Sequence, residues 1–162
     1  MRPYRSNVAI VVIDDEGRVL VGERSDKPGC WQVPQGGVDD GEDEEKAAYR
    51  EFAEEVGEAG IQILACTENR YCYEFPQWLD NRPIAQKYRG QRQRYFLAKR
   101  TNGKEPGDGA THAEFVRFDW RDVGLLLKQV SRFKRKAYEG ALRELAPTVN
   151  EYLGDKVWKI SD

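Results

Sequence analysis

Glu51, Glu54 and Glu55 stand at the i, i+3, i+4 spacing that gathers side chains on one helical face, within about 100° of one another. Like charges on adjacent turns repel, so a helix gains from this arrangement only when cations or basic side chains lie between them. Carboxylate oxygens select hard divalent ions such as magnesium or manganese. Ahead of the three glutamates, Gln35-Gly36-Gly37 supplies backbone that can approach a ligand closely, letting main-chain carbonyls complete a metal shell beside substrate phosphates. Glu42 and Arg50 have the spacing of a pair that orients this loop against the helix. Metal-ion chemistry on a phosphate is what such a set can perform.

Other chemistries are closed off by composition. His112 is the single histidine, which excludes sites built from two or three imidazoles, HExxH zinc sites among them. No GxSxG elbow accompanies it, and in its Gly-rich loop it reads as a surface residue, not as a base. Cys30, Cys66 and Cys72 are odd in number and lack CxxC spacing, so they read as buried thiols and suggest neither disulfides nor zinc. With 40% hydrophobic and 33% charged residues, the chain has the balance of a soluble globular protein. The longest apolar run, Val8 to Ile13, is too short to span a bilayer, and no export signal is visible at the start, so no membrane partner and a cytoplasmic address are expected. The net charge of −2 argues by itself for no polyanionic partner. Its distribution says more: acidic residues crowd positions 39–58, while basic residues cluster at 87–100 and 132–136. Such runs are most often solvated faces; here the first can hold metal ions and the others phosphates.

The elements that must position these groups follow from periodicity. Val8–Ile13 reads as a buried strand, Asp14–Gly17 as a turn and Arg18–Glu23 as the partner strand. Trp31–Pro34 reads as a short strand ended by proline. A helix is expected from about Glu42 to Val56, with Ala48, Phe52 and Val56 on its packed face and Gly57 as a left-handed cap. Further strands are expected at Ile61–Thr67, Arg70–Phe75, Gln86–Lys99 and Glu114–Trp120. A last helix is expected at about Ser131–Tyr152, with Phe133, Ala137, Ala141, Leu142 and Leu145 on its apolar side. No repeat or linker interrupts the pattern, so residues 1–162 are expected to form one α/β domain with a mixed β-sheet between helices.

Gly36, Glu42 and Arg50-Glu51-Phe52-Ala53-Glu54-Glu55-Val56-Gly57 together resemble the Nudix box, GX5EX7REUXEEXGU with U aliphatic. Matching seven fixed residues by chance is an event on the order of once in ten million starting positions. Phe52 is aromatic where an aliphatic is usual, and Glu58 is polar at the last U; both are packing positions and leave the ionisable residues intact. The likeness continues through Tyr4–Val8, Trp31–Gly37, Tyr73–Pro76, Gly90–Phe96, Glu114-Phe115 and Phe133–Arg135, and is nearest to the bacterial RNA pyrophosphohydrolases and related dinucleoside polyphosphate hydrolases. Gln35, where many nucleotide-pool relatives carry glycine, favours this branch.

The resemblance implies a Nudix-type α/β/α sandwich and a phosphoanhydride hydrolase. Its metal ligands would be Glu51, Glu54, Glu55, Glu114 and a carbonyl near Gln35 or Gly36, holding two or three magnesium or manganese ions. Catalytic work would fall to Glu51, Glu54 and Glu114, with Glu54 or Glu114 as general base; without the family, Glu114 reads as a strand-edge glutamate. Glu42, Arg50, Gly36 and Gly57 are structural members of the box. Arg5, Arg24 and Tyr73 match positions that line the nucleotide pocket in such enzymes, and Gln93 sits in the basic strand beside them. Phe133, on its own the first core residue of the last helix, would stack on the first base, with Lys134 beside it. The substrate implied is a 5′-triphosphorylated RNA end, cut to a 5′-monophosphate as the opening step of mRNA decay. A dinucleoside polyphosphate, free GTP or dGTP, or a nucleotide-sensing module without activity are the alternatives. A homodimer is compatible with the resemblance.

Overall fold

An apolar run in which every residue is buried must be covered on both faces, and Val8–Ile13 is such a run. It forms most of β1 (Tyr4–Ile13), where alternation sends Val8, Ile10 and Val12 to one side of a sheet and Ala9, Val11 and Ile13 to the other. The computed structural model describes residues 1–154 and 158–160. β1 pairs in parallel with β7 (Gly90–Arg100) over Tyr4↔Gly90 to Ile13↔Lys99. On its other edge it pairs antiparallel with β2 (Val19–Arg24) and with β4 (Gln35–Gly37). β3 (Trp31–Gln32) and β8 (Phe115–Arg121) add to β2, while β5 (Ile61–Cys66) and β6 (Tyr71–Glu74) add to β7. The result is a mixed eight-stranded sheet.

Helices cover both faces. On one side α1 (Glu44–Val56) lays Ala47, Ala48, Phe52 and Val56 against Val8, Ile10, Val12 and Phe96. On the other, α3 (Val123–Gln129) and α4 (Arg135–Leu153) enclose Ala9, Val11, Val21, Tyr95 and Leu97 with Leu126, Tyr138, Ala141, Leu142 and Leu145. The α/β/α sandwich expected from the sequence is therefore present. No helix among the described residues is long and apolar enough to cross a membrane.

The two departures from the Nudix pattern find physical places. Phe52 is 2% exposed in the α1 interface, where a buried side chain of that size stabilises by roughly 1.5–3 kcal/mol. Glu58 turns outward beside Lys104, and Ala59 takes the buried place one residue later. α1 starts on Asp43, whose carboxylate accepts the backbone N–H of Lys46 at 3.2 Å. It stops at Gly57, whose φ of 92° with ψ of −131° lies outside the left-handed helical region expected for it. That conformation suits glycine alone, and a side chain there would also overlap the carbonyl of Asp108.

Several boundaries differ from expectation. The strand expected from Gln86 starts at Gly90, because Pro83 at the first helical position sets up a short helix, α2 (Pro83–Lys87). α3 was not expected, although Asp122 caps it by accepting the Leu125 N–H at 2.9 Å. The last helix begins at Arg135, after a 3-10 turn over Arg132–Lys134 that carries Phe133 out of the helix and its apolar stripe. Gln35-Gly36-Gly37 is a paired strand on β1, not a free loop.

Candidate active site

The polar face of α1 is organised by Arg50. Its guanidinium donates to both oxygens of Glu42 at 2.8 Å, to the Gly37 carbonyl at 2.8 Å and to Glu51 Oε1 at 2.8 Å, and it reaches Glu54 at 3.4 Å. Glu42 also accepts the Asp39 N–H at 3.0 Å, and these bonds, the Arg50 bond foremost, hold its carboxyl down at about 2. The loop before α1 is thereby locked to the helix at several points. Among the described residues, no three acidic, imidazole or thiol side chains stand together as a ready ion site. The expected convergence of three carboxylates is thus absent as the side chains stand, since Glu51 and Glu54 both turn onto Arg50.

Glu55 turns inward, onto the strand whose Gly36 lies against Glu51. It is 4% exposed and accepts the backbone N–H of Gln35 at 3.2 Å. Burial first, then the charges of Glu114, Glu51 and Glu54, push its carboxyl up to about 9. Glu51 is raised too, again chiefly by burial, against the pull of Arg50. A buried carboxylate with acidic neighbours marks a place short of positive charge, and its hard oxygens fit a divalent cation. Gly36 belongs to the same arrangement: a methyl group built on it would overlap the carboxylate of Glu51, so a side chain there and the glutamate's present position exclude one another.

A polar network leads away from the acidic face. The Arg5 guanidinium packs over Gly37 and donates to Gln91 Oε1 at 3.3 Å. Gln91 also accepts from Asn7 at 2.7 Å and donates to the Tyr73 hydroxyl at 2.6 Å. Gln93 donates to Asn7 Oδ1 at 2.9 Å and to Gln35 Oε1 at 2.7 Å, and accepts from the Tyr95 hydroxyl at 2.6 Å. Gln93, expected at the substrate, is fully buried here, and the side chains it holds are those of Asn7 and Gln35. Tyr73 is likewise buried, which pushes its hydroxyl up to about 12.

Beyond Tyr73 the surface turns aromatic and basic. Phe133 stacks on Tyr73 with ring centroids 5.5 Å apart and planes at 10°, and Trp78 meets Phe133 edge-on at 6.0 Å. One face of Phe133 is thus already occupied. Arg24 pairs with Asp26 at 2.7 Å and approaches Gln32 Oε1 at 3.4 Å. Lys134, expected beside the base, is only 2% exposed and donates to Gln32 Oε1 at 2.9 Å. Burial, and then Arg24, lower its ammonium to about 7. The unfolded chain takes up this proton near the ordinary value of 10.5, the folded chain only near 7. Stability is therefore fullest above 10.5 and declines as pH falls to about 7. Lys134→Met is expected to stabilise the protein at pH 7 by on the order of 2 kcal/mol once the lost Gln32 bond is counted. The gain should fade towards pH 10, and chemical denaturation at both pH values checks it; an equal change at both would contradict it.

Glu114 sits just before β8, exposed, with its backbone carbonyl accepting the Ser25 N–H at 2.9 Å. Its charge is felt at Glu55 on one side and at Arg24 and Lys134 on the other. His112, read from sequence as surface, is indeed half exposed, yet its Nδ1 lies 3.4 Å from Glu54. Its backbone N–H, like that of Thr111, donates to the Glu54 carbonyl at 3.0 Å, so the 107–113 segment clamps the end of α1. Asn7, Gln91, Trp78 and His112 were missed as site neighbours. Asn7 and Gln91 carried a signal, since polar amides among strand residues need buried partners; for Trp78 and His112 only the fold brings them near.

Comparison with known proteins identifies the fold and the family. Residues 3–145 match the NUDIX domain. The RNA pyrophosphohydrolase of Sphingopyxis alaskensis is 41% identical over 151 residues, spanning 91% of this chain and 96% of that protein. The RNA pyrophosphohydrolase of Rhodospirillum rubrum is 41% identical over 145 residues, spanning 89% and 88%. Among solved structures, a C. elegans Ap4A hydrolase binary complex superposes with a TM-score of 0.66 at 21% identity, covering 91% of this chain and 98% of its own, a likeness of fold. Nudix hydrolases generally use divalent metal ions. With the ionisable residues of the box on α1 and in the loop before it, and a family match spanning most of the sequence, this chain belongs to the Nudix hydrolase family.

Proposed function

We propose that the chain hydrolyses the 5′-triphosphate end of RNA, releasing pyrophosphate and leaving a 5′-monophosphate, and so opens mRNA decay. The observation that carries this reading is the continuous path from the box helix to the aromatic cluster: Glu55 accepts the Gln35 N–H, Gln35 Oε1 accepts from Gln93, and Asn7 and Gln91 carry the chain of hydrogen bonds on to the Tyr73 hydroxyl, against whose ring Phe133 stacks. An acidic, cation-seeking pocket thus adjoins an aromatic and basic one, which is what a terminal nucleotide with its phosphates requires. The names of relatives at 41% identity support the same substrate. The whole chain acts as one catalytic domain in the cytoplasm, with a homodimer compatible.

Glu51, Glu54, Glu55 and Glu114, with the main chain at Gln35 or Gly36, would hold two or three magnesium or manganese ions. When bound, these ions neutralise phosphate charge and acidify a water for in-line attack on phosphorus. Glu54 or Glu114 would take the proton of the attacking water, whose oxygen would bond to phosphorus as the bond to the leaving pyrophosphate breaks. Arg50 fixes the loop through Glu42 and the Gly37 carbonyl, and Glu51 and Glu54 would have to leave it to hold the cations. Arg5 offers positive charge over Gly37, and the open side of Phe133 receives the first base.

Incubating 5′-triphosphorylated RNA with magnesium and following pyrophosphate against single phosphates tests this. Faster turnover than on diadenosine tetraphosphate or GTP is expected; preference for either small substrate would reassign the enzyme.

A further inference from the structure

Gln35 serves two faces of the sheet. Its backbone N–H donates to Glu55 on the α1 side, while its register opposite Ala9 sends its side chain to the α4 side. A carboxamide can present either end, and its partners decide which. Here the decision starts at Arg5, whose guanidinium can only donate: its bond at 3.3 Å fixes Gln91 with Oε1 toward Arg5 and Nε2 toward the Tyr73 hydroxyl at 2.6 Å. The same Gln91 Oε1 takes an Asn7 N–H at 2.7 Å, which turns Asn7 Oδ1 to Gln93. Gln93 accepts from the Tyr95 hydroxyl and engages Nε2 twice, with Asn7 Oδ1 at 2.9 Å and Gln35 Oε1 at 2.7 Å. Gln35 therefore has its oxygen held inward and its Nε2 turned away from the chain. Asn7 and Gln93 are 1% and 0% exposed and Gln35 is 9% exposed, so the end of the chain is the part that reaches the opening. Burial pushes the Tyr73 hydroxyl up to about 12 against hydrogen bonds from Gln91 and then Gln35, which sets the Gln35 amide beside that oxygen.

Resting on the RNA reading above, we propose that the Gln35 carboxamide donates an N–H to the phosphate attached to the first nucleoside, and that Gln93 is the positioning residue that keeps this donor facing it. The place suits that group, because the Gln35 backbone adjoins the acidic face while its side chain adjoins Tyr73 and, through it, the Phe133 ring. An anionic oxygen is attracted by an N–H and repelled by a carbonyl, so a flip of this one amide turns attraction into repulsion. Gln93 touches no substrate; it excludes the flipped state, in which two NH₂ groups would face each other.

The full chain with magnesium is titrated by calorimetry with a 5′-monophosphorylated dinucleotide and with the same dinucleotide carrying a 5′-hydroxyl. Gln35→Met keeps the backbone and removes the donor. It should weaken the phosphorylated ligand roughly ten- to a hundredfold, the worth of a hydrogen bond to a charged group, and leave the 5′-hydroxyl ligand nearly unchanged. Gln93→Met, confirmed as folded by thermal unfolding, should weaken the phosphorylated ligand roughly two- to tenfold, the cost of ordering a freed side chain on binding. Added to Gln35→Met it should weaken binding no further. By NMR, the Gln35 side-chain amide signals should shift with the phosphorylated dinucleotide alone. Equal losses for both dinucleotides in Gln35→Met, or none for the phosphorylated one, would overturn the donor. A further loss from Gln93→Met in the Gln35→Met background would overturn the positioning role. Should Gln93→Met not fold, amide signals of Gln35 that ignore the phosphorylated ligand in the natural protein would overturn the proposal. Turnover of free nucleotides without turnover of RNA would overturn the RNA reading and leave the amide assignment standing.

Discussion

Replacing Glu55 with glutamine is expected to lower turnover by roughly a thousandfold or more while the protein stays folded. The side chain is 4% exposed, and burial together with acidic neighbours raises its carboxyl to about 9. A glutamine has the same shape, and its carbonyl oxygen can still accept the Gln35 N–H now bonded at 3.2 Å. What vanishes is a carboxyl that can give up its proton to an arriving cation and hold it as an anion, which an amide cannot do. Glu54→Gln should be similarly inactive, because that residue reaches toward the same site and is held on one side by Arg50 and on the other by His112. Turnover with thermal unfolding of the same preparations checks both variants. Added magnesium should raise the unfolding temperature of the natural protein by mass action, and by less in either variant. Near-normal activity in both would remove these carboxylates from the mechanism.

Gly36→Ala is the smallest change expected to have a comparably large effect. The added methyl would occupy the space of the Glu51 carboxylate, and Gly36 is fixed on β1 by pairing with Val8, so the strand cannot simply retreat. Glu51 must swing away, breaking its 2.8 Å bond to Arg50, and the methyl would stand between this glutamate and the main chain proposed to complete the cation site. A loss of roughly a hundredfold in turnover is expected, since ångström-scale misplacement of a reacting constellation costs about that much. Metal affinity should fall with it, whereas the unfolding temperature should move little. A large loss of stability with unchanged activity per folded molecule would show that Gly36 serves packing alone.

How far the sequence foretold this site depended on which residues had local signals. α1 was readable because its packed face, its acidic face and Gly57 all agree over consecutive turns. β1 was readable as a buried strand, and its covering on two faces follows from the absence of any polar residue between Val8 and Ile13. Gln35-Gly36-Gly37 was not readable as a strand, since its pairing with Asn7–Ala9 is a tertiary fact that no local propensity encodes. The five residues of α2 are too few for a periodic signal, although Pro83 marked its start. Asp122 was an available cap signal for α3, and Leu125 to Leu127 hid the helix because a short apolar run reads equally as strand. Gln93 and Lys134 were placed at the substrate by resemblance, and burial is what a linear pattern could not report for either. Arg50 shows the same limit in the site itself: its pairing with Glu42 is visible in the spacing, while its grip on Glu51 and Glu54 needed the fold.

The grip of Arg50 on Glu51 and Glu54 makes one measurement decisive: anomalous scattering from crystals soaked in manganese. Peaks are predicted beside the carboxylates of Glu51, Glu54 and Glu55, with the side chains of the first two released from Arg50 and the Arg50–Glu42 pair retained. A map without such peaks, in which Arg50 still clasps both glutamates and Glu55 still holds only the Gln35 backbone, would contradict the reading of this helix as a divalent cation site.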